Sequence, residues 1–202
     1  ILGLSGERMS KVDTAWLRMD SASNLMVIVG VWTLKPAIKY DELCKRVEER
    51  LLKYNRFRQR VMEDGAGATW VEDEAFDIRQ QVVREKLPKH RKGEAQAALQ
   101  ERVGELAMQP LDRAHPLWRI HLVEDYDGGS AMIVRIHHCI ADGIALISVT
   151  MSLVDGGAAP GTPAQAGGRV AGGLDRRHAD QAVHRRHGKG VGHGGRGCRE
   201  IV

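Results

Sequence analysis

The chain has 202 residues, of which 43% are hydrophobic and 28% are charged, and these proportions exclude a fibrous or wholly disordered protein. Residues 1–157 hold 22 Lys and Arg against 23 Asp and Glu, whereas residues 158–202 hold 8 against 3. The net charge of +4 therefore comes from the C-terminal segment, and the near-neutral remainder gives no reason to expect a nucleic-acid partner.

Cysteine usage and hydropathy indicate the cellular compartment. The three cysteines, Cys44, Cys139 and Cys198, are widely spaced and form no Cys-x-x-Cys pair, which argues against a disulfide framework or a zinc site. The longest apolar run, residues 25–34, is too short to cross a bilayer. We therefore expect a cytoplasmic protein.

The first predicted elements are a helix and a strand. Residues 10–20 begin with Ser10 and Asp13 in a capping-box arrangement, which predicts a short helix. One face of this helix carries Val12, Trp16 and Met19. Residues 25–34 are rich in Val and Ile and contain no charge, which predicts a buried strand.

Five further elements are predicted before residue 84. An amphipathic helix comes first, then a half-exposed strand whose arginines face solvent, then a tight turn and two strands. Their predicted bounds are 41–54, 57–62, 65–67, 69–72 and 76–83. We interpret Arg56, Arg58 and Arg60, at and just before this strand, as a solvated face rather than a phosphate site.

The remaining elements surround the most informative part of the chain. A helix, two strands and a second helix are predicted at residues 93–108, 117–124, 131–137 and 143–154. The two strands are joined by a turn that contains Asp127, Gly128 and Gly129. Antiparallel hairpins mixed with helices, rather than regular βαβ units, predict an α+β fold.

Residues 158–202 have a different composition from the rest of the chain. Only six of these 45 residues are Val, Leu or Ile, while Gly, Arg and His dominate. Such a segment cannot bury enough apolar surface to offset its ordering entropy, which predicts disorder. The composition also fits a GC-rich reading frame translated out of register. We therefore divide the chain into an N-terminal domain, residues 1–157, and a tail, residues 158–202.

Residues 136–143 read Ile-His-His-Cys-Ile-Ala-Asp-Gly and contain the pattern His-His-x-x-x-Asp-Gly, where a predicted strand runs into a loop. An imidazole at a strand end is a natural general base, because its usual pKa lies near 6.5 and the strand holds it rigidly. His137 and His138 are the candidates. Gly143 permits a tight backbone path, and Asp142 can anchor the loop through hydrogen bonds or an ion pair.

Other kinds of site use the same residue types. The two histidines could bind a metal ion with Asp142 or His121 as a third ligand, but the sequence has no His-Glu-x-x-His, no cysteine pair and no second acidic cluster. Cys139 could be a thiolate nucleophile, but its apolar setting favours packing. A serine nucleophile would need a Gly-x-Ser-x-Gly elbow, which is absent. We therefore expect no metal site.

Three segments of the chain resemble a known family. The histidine pattern resembles the signature of the acyl-CoA-dependent acyltransferase superfamily that includes chloramphenicol acetyltransferase and the condensation domains of peptide synthetases. Residues 110–118, Pro-Leu-Asp-Arg-Ala-His-Pro-Leu-Trp, resemble a segment of the bacterial wax ester synthase/diacylglycerol acyltransferases. Met9–Leu17 and Met26–Gly30 resemble the N-terminus of the same enzymes. The resemblance covers residues 5–156.

The resemblance implies a fold and a place within the family. It implies a chloramphenicol acetyltransferase-like half-domain of two layers, with a mixed, largely antiparallel sheet and helices. Because the family members have a second half of comparable size, the chain corresponds to their N-terminal half, and we expect it to be weakly active or inactive alone.

The resemblance also implies a mechanism. His138 would take the proton from the hydroxyl of diacylglycerol or a long-chain alcohol, which then attacks the thioester of acyl-CoA. His137 would pack beside it, and Asp142 and Gly143 would shape the loop. Acyl-CoA is a substrate in this scheme, so no cofactor and no metal are implied. Lipid acceptors imply contact with the surface of the inner membrane or of lipid inclusions.

Two questions stay open at this point. Pro116, Leu117 and Trp118 either form a rigid turn that fills the core or line a substrate channel; we favour the first, and we expect Trp16 and Trp32 in the core as well. For the function, the alternatives are a condensation-type acyltransferase with a different acceptor and a catalytically inactive fragment that only binds other molecules.

Overall fold

The helix predicted near the N-terminus is present as α1 (Lys11–Met19) in the computed structural model, which describes residues 6–89, 91, 93–140 and 150–153. Ser10 caps α1, because its side-chain oxygen accepts the backbone N–H of Asp13 at 3.1 Å. α1 buries Leu17, whereas Val12 and Met19 are exposed. The helix face that the sequence marks by its apolar residues is therefore largely open to solvent.

The described part of the chain also contains strands and three further α-helices. In chain order the elements besides α1 are β1 (Glu7–Arg8), β2 (Val27–Leu34), α2 (Tyr40–Arg50), β3 (Gln59–Asp64), β4 (Gly67–Glu72), α3 (Ile78–Gln81), β5 (Val82–Arg84), α4 (Ala95–Ala107), β6 (Trp118–Tyr126) and β7 (Gly129–His137). β1, β4 and β3 form one antiparallel sheet, and the other strands form a second sheet in the order β2-β7-β6-β5. Its pairs are antiparallel except β5 with β6. The predicted α+β class with a mixed, largely antiparallel sheet is confirmed.

Helices cover both faces of the four-stranded sheet. Alternate residues of β6 and β7 point to opposite sides. One side packs against α2 through Leu43 and Val47, and the other packs against α4 through Leu99 and Leu106. This sheet therefore forms three layers, helix, sheet and helix, rather than the expected two. The cause is that β7 is buried at all of its residues and needs cover on both faces.

The strand predicted over residues 76–83 is wrong. Asp77 caps the helical turn α3, since its carboxylate accepts the backbone N–H of Arg79 at 2.9 Å, and only Val82–Arg84 are extended. β5 then connects through α4 to the parallel strand β6. The described part of the chain therefore contains one βαβ crossover, whereas the sequence predicted antiparallel hairpins only.

The strand predicted over residues 25–34 is present as β2, but it is half-buried. Among the described strands β2 pairs only with β7, so it lies at the edge of its sheet. The indole of Trp32 covers Gly30, and a Cβ added at Gly30 would collide with that ring. This close approach explains why a glycine stands in the middle of the strand.

The arginines of residues 56–60 do not share one solvated strand face. Arg56 belongs to a 3₁₀ turn, Asn55–Phe57, and its guanidinium lies 4.8 Å from the centre of the Trp70 ring. The same guanidinium binds the Glu7 carboxylate at 2.8 Å. The prediction of a solvent-facing side chain is therefore wrong for Arg56, which joins β1 to the start of β3.

Several expectations concern residues outside the described ranges. Of the helix predicted at residues 143–154, the structure describes residues 150–153, where Thr150 and Leu153 are buried. The predicted tail, residues 158–202, lies wholly outside these ranges. Among the described helices, none is both long and apolar enough to span a membrane.

Candidate active site

The motif histidines stand at the end of the most buried strand. β7 ends at His137, and its residues are buried throughout. The backbone N–H of His137 donates to the Leu117 carbonyl at 2.9 Å, and the N–H of His138 donates to the Met26 carbonyl at 2.9 Å. Two neighbouring segments of chain therefore hold the backbone of both histidines.

His137 is a buried, neutral histidine. Its Nδ1 accepts the backbone N–H of Cys139 at 3.1 Å, so the neutral ring carries its proton on Nε2. Burial lowers the pKa of His137 to about 4, and the nearby Asp20 carboxylate offsets only part of that effect. With 1% of its surface exposed, the ring is screened from any substrate in solution. This geometry fits the supporting role predicted for His137.

His138 is the histidine of the pair that solvent reaches. Its side chain is half-buried, and its ring stacks on the indole of Trp16 with 4.8 Å between the ring centres and 21° between the ring planes. The ring is thus held by a fixed backbone and an aromatic neighbour while part of it stays open. This geometry fits the prediction that His138 is the base.

Trp16 belongs to this site as well as to the core. The prediction that places Trp16 in the core misses its contact with His138. Its ring is half-buried and also packs against the cluster around Leu17. No local pattern in the sequence indicates this contact, because the two residues come from distant segments.

Asp20 is the residue of this site that sequence analysis missed altogether. It follows the last residue of α1, and its Oδ1 accepts the backbone N–H of Met26 at 2.8 Å. Its Oδ2 lies 3.3 Å from Nη2 of Arg113 and 3.7 Å from Nε2 of His137. The contact with Arg113 is an ion pair, whereas the separation from His137 is longer than a hydrogen bond.

Cys139 packs in the core. Its side chain is buried with Met9, Leu17 and Trp70 in the cluster between α1 and the small sheet. Burial raises the pKa of the Cys139 thiol to about 12, so almost no thiolate exists at neutral pH. These observations argue against the thiolate-nucleophile alternative.

The segment Pro116–Trp118 fills the space beneath the site. All three side chains are buried. Leu117 packs in the same cluster as Leu17. The indole N–H of Trp118 donates to the Phe57 carbonyl at 2.9 Å, and the two rings meet edge-on with 5.9 Å between centres. This burial favours the structural interpretation over a substrate channel.

His121 does not complete a metal site with the motif histidines. Leu117 lies opposite His137 in the hairpin, and His121 is four residues further along, about 13 Å away at the usual rise of a strand. Its Nδ1 lies 3.1 Å from the Glu85 carboxylate, and burial lowers the pKa of His121 to about 4. Within the described ranges, no three metal-binding side chains come together.

Asp142 and Gly143 lie outside the described residues. Their roles in shaping the loop after His138 stay predictions.

Comparison with known proteins decides the family. The model of the wax ester synthase/diacylglycerol acyltransferase catalytic domain matches residues 9–202. The chain belongs to this family. The resemblance noted in the sequence is thereby confirmed; the match begins at residue 9 and continues past residue 156, where the noted resemblance ends. The boundary at residue 157 stays a prediction.

Curated relatives of this acyltransferase family member include two mycobacterial enzymes. A probable diacylglycerol O-acyltransferase of Mycobacterium tuberculosis is 28% identical over 155 residues, which are 73% of this chain and 56% of the relative. A second probable diacylglycerol O-acyltransferase of the same species is 34% identical over 154 residues, which are 73% of this chain and 33% of the relative. The chain thus spans about half or a third of the length of these relatives.

Solved structures support the fold. The wax ester synthase/diacylglycerol acyltransferase from Marinobacter aquaeolei VT8 matches with a TM-score of 0.54 and 21% identity, over 72% of this chain and 37% of that one. A starter condensation domain of rhizomide synthetase in complex with C8-CoA matches with a TM-score of 0.59 and 17% identity, over 73% of this chain and 34% of that one. At these identities the likeness concerns the fold alone.

Proposed function

We propose that the chain carries the catalytic base of an acyl-CoA-dependent O-acyltransferase that moves a fatty acyl group to diacylglycerol or a long-chain alcohol. The observation that carries the proposal is the contrast between the two motif histidines: His137 is buried and neutral, whereas His138 is half-buried and held against Trp16. Membership of the family supports the reaction class.

The proposed reaction needs one proton carrier. An unprotonated ring nitrogen of His138 takes the proton of the acceptor hydroxyl while the hydroxyl oxygen attacks the thioester carbonyl carbon. The tetrahedral intermediate then collapses, the C–S bond breaks, and protonated His138 returns the proton to the CoA sulfur. The products are an ester and free CoA, and His138 ends in its starting state. No acyl-enzyme, cofactor or metal ion takes part.

The proposed partners follow from this chemistry. Acyl-CoA is the donor, and a structural neighbour solved with C8-CoA supports that choice. Diacylglycerol or a long-chain alcohol is the acceptor, and no nucleic acid is involved. We place the protein in the cytoplasm, at the surface of the inner membrane or of lipid inclusions, where such acceptors collect.

The condensation-domain neighbours favour a second candidate. These domains share the fold, so the same base could serve an acceptor of another class, such as an amine. The third candidate is a fragment that binds other molecules without catalysis. The three candidates differ in which mixtures release free CoA thiol.

The purified chain tests these candidates directly. It is mixed with palmitoyl-CoA and either hexadecanol, dioleoylglycerol or an amino-acid amide, and thiol release is followed with mass spectrometry of the products. We expect weak release with the two lipid acceptors, unchanged after dialysis against EDTA, because the chain spans only part of the length of its relatives. Release with the amide alone would support the second candidate, and no release with any acceptor the third. Activity that returns only with added zinc would contradict the metal-free mechanism.

A further inference from the structure

A single carboxylate joins the separate pieces of the site. Asp20 directly follows α1, and its side chain is 13% exposed. Its Oδ1 accepts the backbone N–H of Met26 at 2.8 Å. Its Oδ2 faces Nη2 of Arg113 at 3.3 Å and Nε2 of His137 at 3.7 Å. Arg113 balances the negative charge, so the carboxylate can lie largely enclosed beside the histidine.

Two contacts of Asp20, with Met26 and with His137, lead to His138. Met26, whose N–H Asp20 holds, accepts the backbone N–H of His138 on its carbonyl at 2.9 Å. His137 directly precedes His138 in the chain. Trp16 lies one helical turn before Asp20 and carries the ring that stacks on His138. The last turn of α1 therefore reaches the ring and the backbone of His138 at once.

The hydrogen-bonding state of His137 matches this neighbour. Because Nδ1 accepts the N–H of Cys139, Nε2 is the donor, and it makes no hydrogen bond within the part of the chain that the structure describes. Asp20 offers a carboxylate oxygen on that side of the ring. Contacts in an unliganded site are often long and shorten when substrate binds. The buried N–H and the carboxylate form such a pair.

We propose that Asp20 is a positioning residue for His138, acting through His137 and Met26. The inference rests on the proposed function, since it assigns His138 as the base. Asp20 touches no substrate in this scheme. It fixes the tautomer and the orientation of His137 and the path of the backbone on which His138 stands. A displacement of a catalytic group by about 1 Å lowers the rate on the order of 10²-fold.

Two substitutions and a control test the role by kinetics. Asp20→Asn keeps the oxygen that accepts the Met26 N–H but removes the charge, whereas Asp20→Glu keeps the charge. We expect kcat for thiol release to fall on the order of 10²-fold in Asp20→Asn, with KM for palmitoyl-CoA unchanged, and to recover in part in Asp20→Glu. Asp125→Asn, at an exposed carboxylate far along β6, should change neither constant. Equal losses in both Asp20 variants, or an effect on KM alone, would overturn the proposal.

Nuclear magnetic resonance of the ¹⁵N-histidine-labelled chain tests the geometry without catalysis. We expect the Nε2–H tautomer for His137, and ring signals of His137 and His138 that move in Asp20→Asn while those of His121 stay in place. The Nδ1–H tautomer, or unmoved signals, would overturn the inference even in an active enzyme. If the signals behave as expected but the unsubstituted chain releases no thiol, the proposed function fails, and the catalytic role of Asp20 fails with it.

Discussion

The two ends of the β6–β7 hairpin are built in different ways. At the turn, Asp127 and Gly128 adopt φ angles of 47° and 72°, and the strands pair again at the adjacent residues. That conformation depends on two neighbouring residues. At the other end, His137 and His138 are held by α1, by the chain before β2 and by the chain before β6. Substitutions at the two ends should therefore damage different properties.

The largest loss of stability is expected for substitution of Trp118, which is buried at the end of the β6–β7 hairpin that carries His137 and His138. The fully buried indole packs against Phe57 and donates to its carbonyl, so Trp118→Ala leaves a cavity and an unpaired acceptor. We expect the free energy of unfolding in urea to fall by about 3–5 kcal/mol. Trp118→Phe keeps most of the volume and should cost less. An unchanged free energy with an altered KM for acyl-CoA would assign Trp118 to the substrate channel instead.

Two buried histidines of the four-stranded sheet, His121 and His137, should make the free energy of unfolding depend on pH. Burial lowers the pKa of His121 and of His137 to about 4, whereas both titrate near pH 6.5 in the unfolded chain. As the pH falls from about 6.5 to 4, the unfolded state binds protons that the folded state does not, so stability is full near pH 7 and is lost over this interval. Each histidine contributes a slope of up to about 1.4 kcal/mol per pH unit.

Urea unfolding at about pH 7, 6 and 5 measures this slope. His121→Gln and His137→Gln should each reduce the slope of the unfolding free energy against pH by the contribution of one histidine. A free energy of unfolding that stays constant over this interval would show that the two rings are protonated, or exposed, in the folded protein.

The smallest effect is expected at the turn end of the hairpin. A Cβ added at Gly128 meets no atom within 4 Å, so Gly128→Ala costs only the strain of a positive φ, about 1 kcal/mol. Gly129→Ala should cost more, because its Cβ would collide with the Leu34 carbonyl. Neither should change the rate of thiol release per folded molecule. A rate loss in Gly128→Ala would mean that the two ends are coupled.

Local signals explain what the sequence predicted well. The cap at Ser10, the apolar stripe of α2 and the Asp127–Gly128 turn each depend on residues within one or two turns of chain, and the structure has all three. The position of the motif histidines follows in the same way, since they come at the end of a mostly apolar strand in which Arg135 interrupts the run from Ala131 to Ile136.

Long-range contacts explain what the sequence could not predict. Asp20 and Trp16 become part of the site only because α1 packs beside the end of β7. β2 is half-buried because it lies at the edge of its sheet. The residues of a strand do not determine its position in the strand order. The α3 turn is a local exception: its Asp77 cap outweighs the apolar spacing that favoured a strand.

The central claim is that His138, and not His137, is the catalytic base. The most direct test measures the rate of thiol release and the free energy of unfolding in His138→Ala and His137→Ala. His138 is half-buried and His137 is buried, so the account predicts opposite patterns. His138→Ala should lose on the order of 10²–10⁴-fold in rate with little change in stability. His137→Ala should lose more stability and less rate. A His138→Ala chain with full turnover, or equal rate losses at equal stability, would contradict the assignment of His138 as the base.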